Sequence, residues 1–446
     1  MLAVESETKP VAVPETAKQR GEARPLDWVE RSIWTERMLE ALVQGVKGGV
    51  WFSLIDKVYR PSTLQAAWQA VRRNEGSAGT DHESMETFEK NLMENIARLA
   101  EELRTGTYRP RPIKRVYIDK LGSKEKRPLG IPAVRDRVVQ TAMRLVIEPI
   151  FEIRFRPHSY GFRPNRGCKD ALREVDRFLK AGYTHVVDAD LKSYFDSIPH
   201  EGLLGEVGRY IADGRLLDLT ERFLGQDILE GLTRWSPEQG TPQGAVISPL
   251  LANLYFHPVD EAMEAAGFQM IRYADDFVIL CRDESEASNA LHLVQQLITE
   301  RGLVLHPEKT RVVDTAVPGE GFDFLGYHFE GGTRWPRKKS LRKLKDAIRS
   351  KTGRSNGHSL SVITANVNQT LKGWFEYFKH SHKWTFPTLD GWIRRRLRSI
   401  LRKRSKGLKG ISGNMDHIRW PNKFFREQGL FSLADAHMKL LQPSMR

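Results

Sequence analysis

The chain has 446 residues, of which 40% are hydrophobic and 28% charged, so it is long enough for two or three domains with buried cores. Its only two cysteines, Cys168 and Cys281, lie far apart in the sequence, which excludes a disulfide framework and a cysteine-rich zinc site. No apolar stretch reaches the roughly 20 residues that cross a membrane, and residues 1–30 lack a signal core. We expect a disordered N-terminal tail on a cytoplasmic protein.

The net charge of +14 is unevenly distributed along the chain. Residues 331–446 contain 27 Lys and Arg against 6 Asp and Glu, a net charge of +21, whereas residues 1–330 carry a net charge of −7. Such a concentration is typical of a module that binds a polyanion, and nucleic acid is the polyanion that we favour. A merely solvated surface is the alternative.

Helical periodicity dominates residues 31–110. Apolar residues recur at helical spacing up to residue 72, and a glycine-containing break follows. A further helix is predicted to stop at Gly106. Residues 111–132 alternate in polarity like the two strands of a hairpin that turns at Gly122 and Ser123.

A short run typical of a strand, "HVVDADL", begins at His185 and contains Asp190 near its end. A carboxylate in a buried strand is costly unless it is paired or binds a cation, so this position favours a site over a plain core. Phe195 follows five residues later. Taken alone, that side chain is better explained by ordinary core packing.

A loop with glycines and prolines, "EQGTPQGAVISP", precedes a predicted helix whose inward face carries Leu250, Leu254 and Val259. Such a loop at the start of a helix allows the backbone to approach a ligand closely. As a single motif it does not specify a function.

Two adjacent aspartates, Asp275 and Asp276, interrupt the apolar run "YADDFVIL". One interpretation is a hairpin turn between two buried strands, because Asp is a common turn residue. The other is a set of metal ligands at the tip of that hairpin, where Mg²⁺ would find carboxylate oxygens. The motif alone does not decide between them, and the metal site needs a carboxylate from elsewhere in the chain.

The basic region contains two predicted amphipathic helices. The apolar face of the first helix carries Ile363, Val367, Leu371, Trp374 and Phe378, and that of the second carries Leu389, Trp392, Ile393, Leu397, Ile400 and Leu401. Off the second face lie Arg394, Arg395, Arg398, Arg402 and Lys403. The pattern predicts a helical bundle with a basic exterior. The histidines at 380, 382, 417 and 437 lack cysteine partners, and we interpret them as structural or phosphate-facing.

Taken in order, the strand that ends in Asp, the Gln-Gly loop and the Asp-Asp hairpin resemble the palm of a reverse transcriptase. Other segments extend the resemblance to group II intron reverse transcriptase/maturases, from about residue 31 onward: "SYGFRPNRGCKDAL", "GLVLHPEKTRVV", "FDFLGYHF", "LKGWFEYFKHSH", "LDGWIRRRLRSILRKR" and "WPNKFFREQGLFSLADAH". The resemblance implies an α+β fold with right-hand polymerase architecture, in which an antiparallel palm sheet with helices is followed by an all-helical thumb. The implied divisions are 1–30 (tail), 31–110 (helical extension of the fingers), 111–330 (fingers and palm), 331–395 (thumb and maturase-specific domain) and 396–446 (basic DNA-binding region).

The resemblance also implies roles for individual residues. Asp190 and Asp275 would hold two Mg²⁺ ions, or Mn²⁺ in their place, with Asp276 contributing. Phe195 matches the family's steric gate against ribonucleotides. The other implied nucleotide-binding residues are Lys120, Arg127, Gln243, Gly244 and Lys309. Lys309 would also protonate the leaving pyrophosphate, although a lone loop lysine is more often a solvated charge. The implied nucleic-acid contacts are Arg394, Arg395, Arg398, Arg402, Lys403 and Arg404.

The implied function is an RNA-directed DNA polymerase that binds group II intron RNA, assists its splicing and copies it into cDNA from a DNA primer and dNTPs. Its expected location is the bacterial cytoplasm, at the nucleoid and without a membrane partner. A splicing-only maturase is one alternative, which the intact aspartates disfavour, and a reverse transcriptase domesticated for defence or a CRISPR system is another. Many relatives continue into an endonuclease domain with paired cysteines and histidines, and we expect the form that lacks it.

Overall fold

The computed structural model describes residues 26–46, 48–119, 126–405 and 415–442. These residues form two compact units that divide between Gly332 and Thr333. Leu26 and Val29 are buried in the core of the first unit, so the prediction that the tail extends to residue 30 is wrong. The polar composition of the preceding residues hid this short apolar anchor. Lys120 and the predicted turn at Gly122 and Ser123 lie outside the described residues.

The first unit combines helices with two antiparallel or mixed sheets and a short hairpin. Its helices are α1 (Glu36–Gln44), α2 (Ile55–Val58), α3 (Pro61–Asn74), α4 (Met85–Lys90), α5 (Leu92–Thr105), α6 (Val134–Glu152), α7 (Cys168–Lys180), α8 (Tyr194–Ser197), α9 (His200–Gly208), α10 (Gly214–Leu224), α11 (Ser248–Ala265) and α12 (Glu284–Glu300). Its strands are β1 (Ile113–Asp119), β2 (Lys126–Ile131), β3 (His185–Asp190), β4 (Ile228–Glu230), β5 (Thr233–Trp235), β6 (Gln269–Tyr273), β7 (Asp276–Cys281), β8 (Arg311–Asp314), β9 (Phe322–Phe324) and β10 (Tyr327–Glu330).

The predicted helices before residue 110 are present, and local signals fix their ends. The Thr35 hydroxyl accepts a hydrogen bond from the Met38 amide at the start of α1. Gly106 ends α5 with φ of +76°, a conformation that favours glycine. The predicted strands of the following hairpin are β1 and β2, which pair antiparallel in a sheet of order β2-β1-β4-β5.

The palm sheet has the order β6-β7-β3-β8, and each of its neighbouring pairs is antiparallel. β3 lies in the middle, between β7 and β8. Its Val186 and Val187, together with Phe277 and Val278 of β7, are fully buried. Helix α11 belongs to the same core through residues such as Phe256. This buried layer holds the strand ends that carry the predicted aspartates, and the α+β prediction is confirmed.

The second unit is a helical bundle with a short strand, β11 (Thr333–Pro336), at its start. Its helices are α13 (Lys338–Lys351), α14 (Leu360–Phe378), α15 (Thr385–Arg404), α16 (Asp416–Arg419), α17 (Asn422–Glu427) and α18 (Leu433–Leu441). The predicted apolar faces of α14 and α15 form its core, although Phe375 is buried there and Trp374 is only partly covered. In the part of the chain that the structure describes, no helix is both long enough and apolar enough to cross a membrane.

The structure bears on two predictions for α15, the exposure of Arg398 and a domain boundary after residue 395. Arg398 was predicted on the basic exterior, but it is only 3% exposed. Its Nε donates to the Trp420 carbonyl at 2.9 Å, and its Nη2 donates to the Asn422 Oδ1 at 2.9 Å. That prediction is wrong because the chain after residue 415 folds back over this side of α15.

The predicted boundary between residues 395 and 396 falls inside the continuous helix α15. A separate function for the residues beyond this boundary stays a prediction.

Candidate active site

The Asp-Asp motif forms the tip of the β6–β7 hairpin. Tyr273 pairs with Asp276, which leaves Ala274 and Asp275 as a two-residue turn. Ala274 has φ of +61°, a region that usually requires glycine in such turns. The hairpin interpretation is therefore correct for the backbone, and the turn holds a strained residue directly before the first aspartate.

The register of the palm sheet places Asp190 directly opposite Asp276. Residues opposite each other in antiparallel strands project from the same face, with Cα atoms roughly 4.5–5.5 Å apart. Asp275 precedes Asp276 in the turn. The three predicted aspartates therefore lie at the same end of the sheet.

Asp275 is influenced by several residues that the sequence analysis had selected separately. Burial raises the pKa of the Asp275 carboxyl, and the negative charge of Asp190 raises it further. The positive charges of Arg127 and Lys309 act in the opposite direction. A finger strand, the palm strand and the loop after α12 therefore all contribute charge to the same site.

Lys309 is paired with a carboxylate, although its side chain is 57% exposed. Its Nζ contacts the Asp190 Oδ2, while the Asp190 carbonyl accepts a hydrogen bond from the His306 amide at 2.7 Å. The loop between α12 and β8 is thus attached to the end of β3 by backbone and side chain. Lys309 lies next to the predicted metal ligands, where the resemblance expects a nucleotide-binding lysine.

The Gln-Gly loop lies against both the fingers and the palm. Gln243 donates from Nε2 to the Asp196 Oδ2 at 3.0 Å and accepts from the Arg127 Nε at 3.3 Å. The Thr241 amide donates to the Phe195 carbonyl at 2.6 Å. These hydrogen bonds connect three of the predicted nucleotide-binding residues in one chain of contacts.

Gly244 cannot be replaced without moving the fingers. Its φ is +106°, and a Cβ atom there would lie 2.2 Å from the Gly130 carbonyl oxygen. The Gly130 amide also donates to the Gln243 carbonyl at 2.6 Å. The glycine therefore allows strand β2 to pack directly against the loop.

Phe195 is half-buried and belongs to an aromatic cluster. Its ring centroid lies 6.4 Å from that of Phe162, which in turn lies 6.3 Å from that of Tyr273. Phe162 is 52% exposed and has φ of +56°, an outlier for a bulky residue. Sequence reasoning missed Phe162, for which the only local signal was the preceding glycine in "SYGF".

Asp188 is a second residue that sequence reasoning missed. It lies two positions before Asp190, so both side chains project from the same face of β3. Arg311 approaches its carboxylate at 3.4 Å. Burial nevertheless raises the pKa of Asp188 to about 6. The alternation in "DAD" was the signal that could have found it.

The aspartates fit a divalent cation at an open site. Carboxylate oxygens are hard ligands, and Mg²⁺ is commonly bound by one or two carboxylates together with substrate phosphates. Within residues 26–46, 48–119, 126–405 and 415–442, no group of three or more His, Cys, Asp and Glu side chains is arranged to hold a metal by itself.

The predicted basic residues of the second unit differ in their contacts: some line a cleft, and others bond to neighbouring residues. Arg394 and Arg395 line a cleft of about 490 Å³ together with Lys345, Trp392 and His417. Arg402 pairs with Asp416, Lys403 donates to the Ser355 hydroxyl at 3.2 Å, and Arg404 donates to the carbonyls of Asn356 and His358 at 2.7 Å. Their roles as nucleic-acid contacts stay predictions.

Comparison with known families defines the class of protein to which this fold and site belong. The family model "Reverse transcriptase (RNA-dependent DNA polymerase)" matches residues 118–329, and the model "Group II intron, maturase-specific domain" matches residues 341–420. The first match contains all of the clustered aspartates. The second match lies within the helical bundle. A reverse transcriptase domain is thus followed by a maturase-specific domain.

Curated relatives identify the family. The chain is 32% identical over 316 residues to Protein YkfC of Escherichia coli (strain K12), covering 61% of this chain and 82% of YkfC. It is 37% identical over 214 residues to the group II intron-encoded protein LtrA of Lactococcus lactis subsp. cremoris, covering 48% of this chain and 35% of LtrA. The chain belongs to the family of group II intron reverse transcriptase/maturases, and it spans about a third of the length of LtrA.

Solved structures with similarity include a chain of the partial Cas6-RT-Cas1--Cas2 complex, with a TM-score of 0.36 and 27% identity over 56% of this chain and 41% of that chain. Telomerase from Candida albicans, in complex with a fragment of telomeric RNA, has a TM-score of 0.42 and 12% identity, covering 81% of this chain and 69% of that chain.

Proposed function

We propose that this protein is an RNA-directed DNA polymerase that binds group II intron RNA, assists its splicing and copies it into cDNA. The observation that carries the proposal is the meeting of Asp190, Asp275 and Asp276 at the end of the palm sheet, within the segment that matches the reverse transcriptase family. The maturase-specific match supports the intron RNA as partner. The DNA substrate would lie in the nucleoid of a bacterial cell, where the reaction would take place.

The three aspartates would hold two Mg²⁺ ions, or Mn²⁺ ions in their place. When bound, such ions activate the primer 3′-hydroxyl and neutralise charge on the leaving pyrophosphate. Lys309, whose ammonium group contacts Asp190, would give a proton to the pyrophosphate as it leaves. The residues themselves would thus provide metal ligands and an acid at one end of the sheet.

The remaining residues around the aspartates would select and orient the nucleotide. Arg127 is an exposed guanidinium on a finger strand, suited to charge-assisted hydrogen bonds with a triphosphate. Gln243 would hold the Arg127 side chain in position, because it forms hydrogen bonds with both Arg127 and Asp196. Phe195 would exclude a 2′-hydroxyl by contact with the sugar, and Gly244 would let the loop backbone approach the template.

The division of labour along the chain would be as follows. Residues 111–330 would act as fingers and palm, residues 331–395 as the thumb and maturase-specific domain, and residues 396–446 as a basic DNA-binding region. The net charge of +21 after residue 330 would neutralise phosphates of the intron RNA and of the template-primer duplex.

The test uses the full chain, an RNA template with a DNA primer, and the group II intron RNA encoded beside the gene. We expect Mg²⁺-dependent incorporation of dNTPs on the RNA template and faster splicing of the intron at low Mg²⁺ concentration. Splicing assistance without any incorporation would replace the proposal by a splicing-only maturase. Incorporation without intron binding would favour a domesticated reverse transcriptase.

A further inference from the structure

Arg272, three residues before Asp275, is completely buried although it carries a charge. All five of its side-chain N–H groups have acceptors. The guanidinium pairs with both oxygens of Asp260, at 2.8 and 2.5 Å, and lies 4.6 Å from the ring centre of Phe256. Burial alone would lower the pKa of Arg272, but the charge and hydrogen bonds of Asp260 outweigh it, so its pKa is raised.

The other donors of Arg272 reach the catalytic hairpin and a separate segment. Nη1 donates to the Ala274 carbonyl at 3.0 Å and to the Asn253 Oδ1 at 2.9 Å, and Nη2 donates to the Ser159 hydroxyl at 2.8 Å. The Ala274 carbonyl belongs to the peptide bond that links Ala274 to Asp275. One side chain therefore holds the turn from inside the palm.

The segment before Phe162 is attached to the same arginine. The Arg272 amide donates to the His158 carbonyl at 2.9 Å, and the Tyr160 amide donates to the Arg272 carbonyl at 2.8 Å. The side-chain Nδ2 of Asn253 donates to the Gly161 carbonyl at 2.7 Å. Two backbone bonds and a shared asparagine thus tie residues 158–161 to the hairpin.

The contact between this segment and the turn leaves no spare room. A Cβ atom on Gly161 would lie 2.3 Å from the Ala274 amide nitrogen. Ala274 itself has φ of +61°, which alanine rarely adopts. The turn is therefore held in a strained conformation between the Gly161 backbone on one side and the Arg272 guanidinium on the other.

We propose that Arg272 is a positioning residue for the polymerase reaction: it fixes the turn that presents Asp275 and Asp276 to the metal ions, and it ties that turn to the segment that places Phe162 beside Phe195. The inference rests on the proposed function. Lysine in its place would keep a positive charge near Asp260 but could not reproduce the planar fork that reaches the other acceptors.

The experiment compares the full-length wild type with Arg272→Lys, Ala274→Gly, the double variant and a control, Arg301→Lys. Arg301 also pairs with a carboxylate, Glu206 at 2.9 Å, and its guanidinium lies 4.4 Å from the ring centre of Tyr255, but it does not contact the hairpin. The measurements are kcat and KM for dNTPs on an RNA template, Mn²⁺ affinity without nucleotide, and the melting temperature.

We expect Arg272→Lys to lower kcat by about 100-fold and to weaken Mn²⁺ binding, because small displacements of catalytic groups are costly. Ala274→Gly should restore part of both losses, since glycine adopts a positive φ without external support. The control should keep a kcat within about threefold of the wild type, because ordinary losses of one hydrogen bond are modest. A purely structural role would lower the melting temperature of Arg272→Lys while leaving kcat of the folded protein and Mn²⁺ affinity unchanged, and would overturn the inference.

The positioning role can still be tested if the wild type is inactive or if Arg272→Lys does not fold. If the wild type does not extend primers, the proposed function fails, and the Mn²⁺ affinities of the variants still decide the positioning role. If Arg272→Lys does not fold, Ser159→Ala replaces it, because this variant removes a single acceptor of Arg272. A fall in its kcat of about threefold to tenfold at an unchanged melting temperature supports the inference, and a wild-type kcat overturns it.

Discussion

The Nζ atom of Lys309 contacts the carboxylate of Asp190 at the end of the central palm strand. An ammonium group in that position competes with a metal ion for the same oxygens. In the proposed function it would also lie close to the leaving pyrophosphate. Removing the charge of Lys309 should therefore strengthen metal binding but slow primer extension.

We predict that Lys309→Met lowers kcat for primer extension by about 100-fold or more, the usual range for loss of a general acid, while Mn²⁺ binds more tightly in the absence of nucleotide. The comparison is with Lys180→Met, an exposed lysine at the end of α7. Single-turnover kinetics and Mn²⁺ titration measure the two quantities. An unchanged kcat would return Lys309 to the role of a surface charge.

Phe195→Ala should relax the choice of sugar. Removing the ring opens space for a 2′-hydroxyl, so the ratio of kcat/KM for ribonucleotides to that for deoxynucleotides should rise about tenfold or more. Phe52→Ala, at an exposed phenylalanine of the first unit, serves as the control. If the ratio stays at its wild-type value in both variants, Phe195 is only a packing residue.

Periodicity predicted the helices and the hairpins, because these depend on local pattern. The position of Asp275 near Asp190 was implied only by the resemblance to a known order of motifs. Arg398 was placed on the exterior because a helical face cannot show which later segment covers it. The support of the turn by Arg272, Asp260 and Ser159 was equally invisible, since Ser159 is 113 residues away from Arg272 in the sequence. Contacts between polar groups that are distant in the sequence cannot be predicted from local sequence patterns.

Asp188 should make stability depend on pH. Its pKa is raised from 3.8 to about 6 by burial, so the native state binds more protons than the unfolded state between these values. The free energy of unfolding then falls as pH rises through that window, and the buried charge remains unfavourable above it, by about 3 kcal/mol. Asp188→Asn should raise the melting temperature at pH 7.5, and the gain should shrink towards pH 4.

The control for this pH dependence is Asp346→Asn, at an aspartate whose side chain is 55% exposed. Its effect on the melting temperature should be small at every pH. A destabilised Asp188→Asn at pH 7.5 would show that the ion pair with Arg311 outweighs the cost of burial.

Arg395 and Arg398 should separate nucleic-acid binding from folding. Arg395 is exposed, so Arg395→Ala should weaken RNA binding and reduce the salt slope by about 1, with an unchanged melting temperature. Arg398 is buried with its donors bonded, so Arg398→Ala should cost about 2 kcal/mol or more of stability. Filter binding across a salt series and denaturant unfolding measure the two effects. Equal effects of the two variants on RNA binding would contradict this assignment.

The most direct test of the account is RNA-templated primer extension by Asp190→Asn and Asp275→Asn, with intron RNA affinity measured on the same preparations. Asp283→Asn, at the residue that caps helix α12, is the matched control. Because loss of a metal ligand removes several kcal/mol of transition-state stabilisation, extension should fall by about a thousandfold in the two site variants and stay near normal in the control. We expect RNA affinity to depend on the basic second unit and therefore to be unchanged in all three. Near-normal extension by either site variant would contradict the central claim that these carboxylates carry the polymerase reaction.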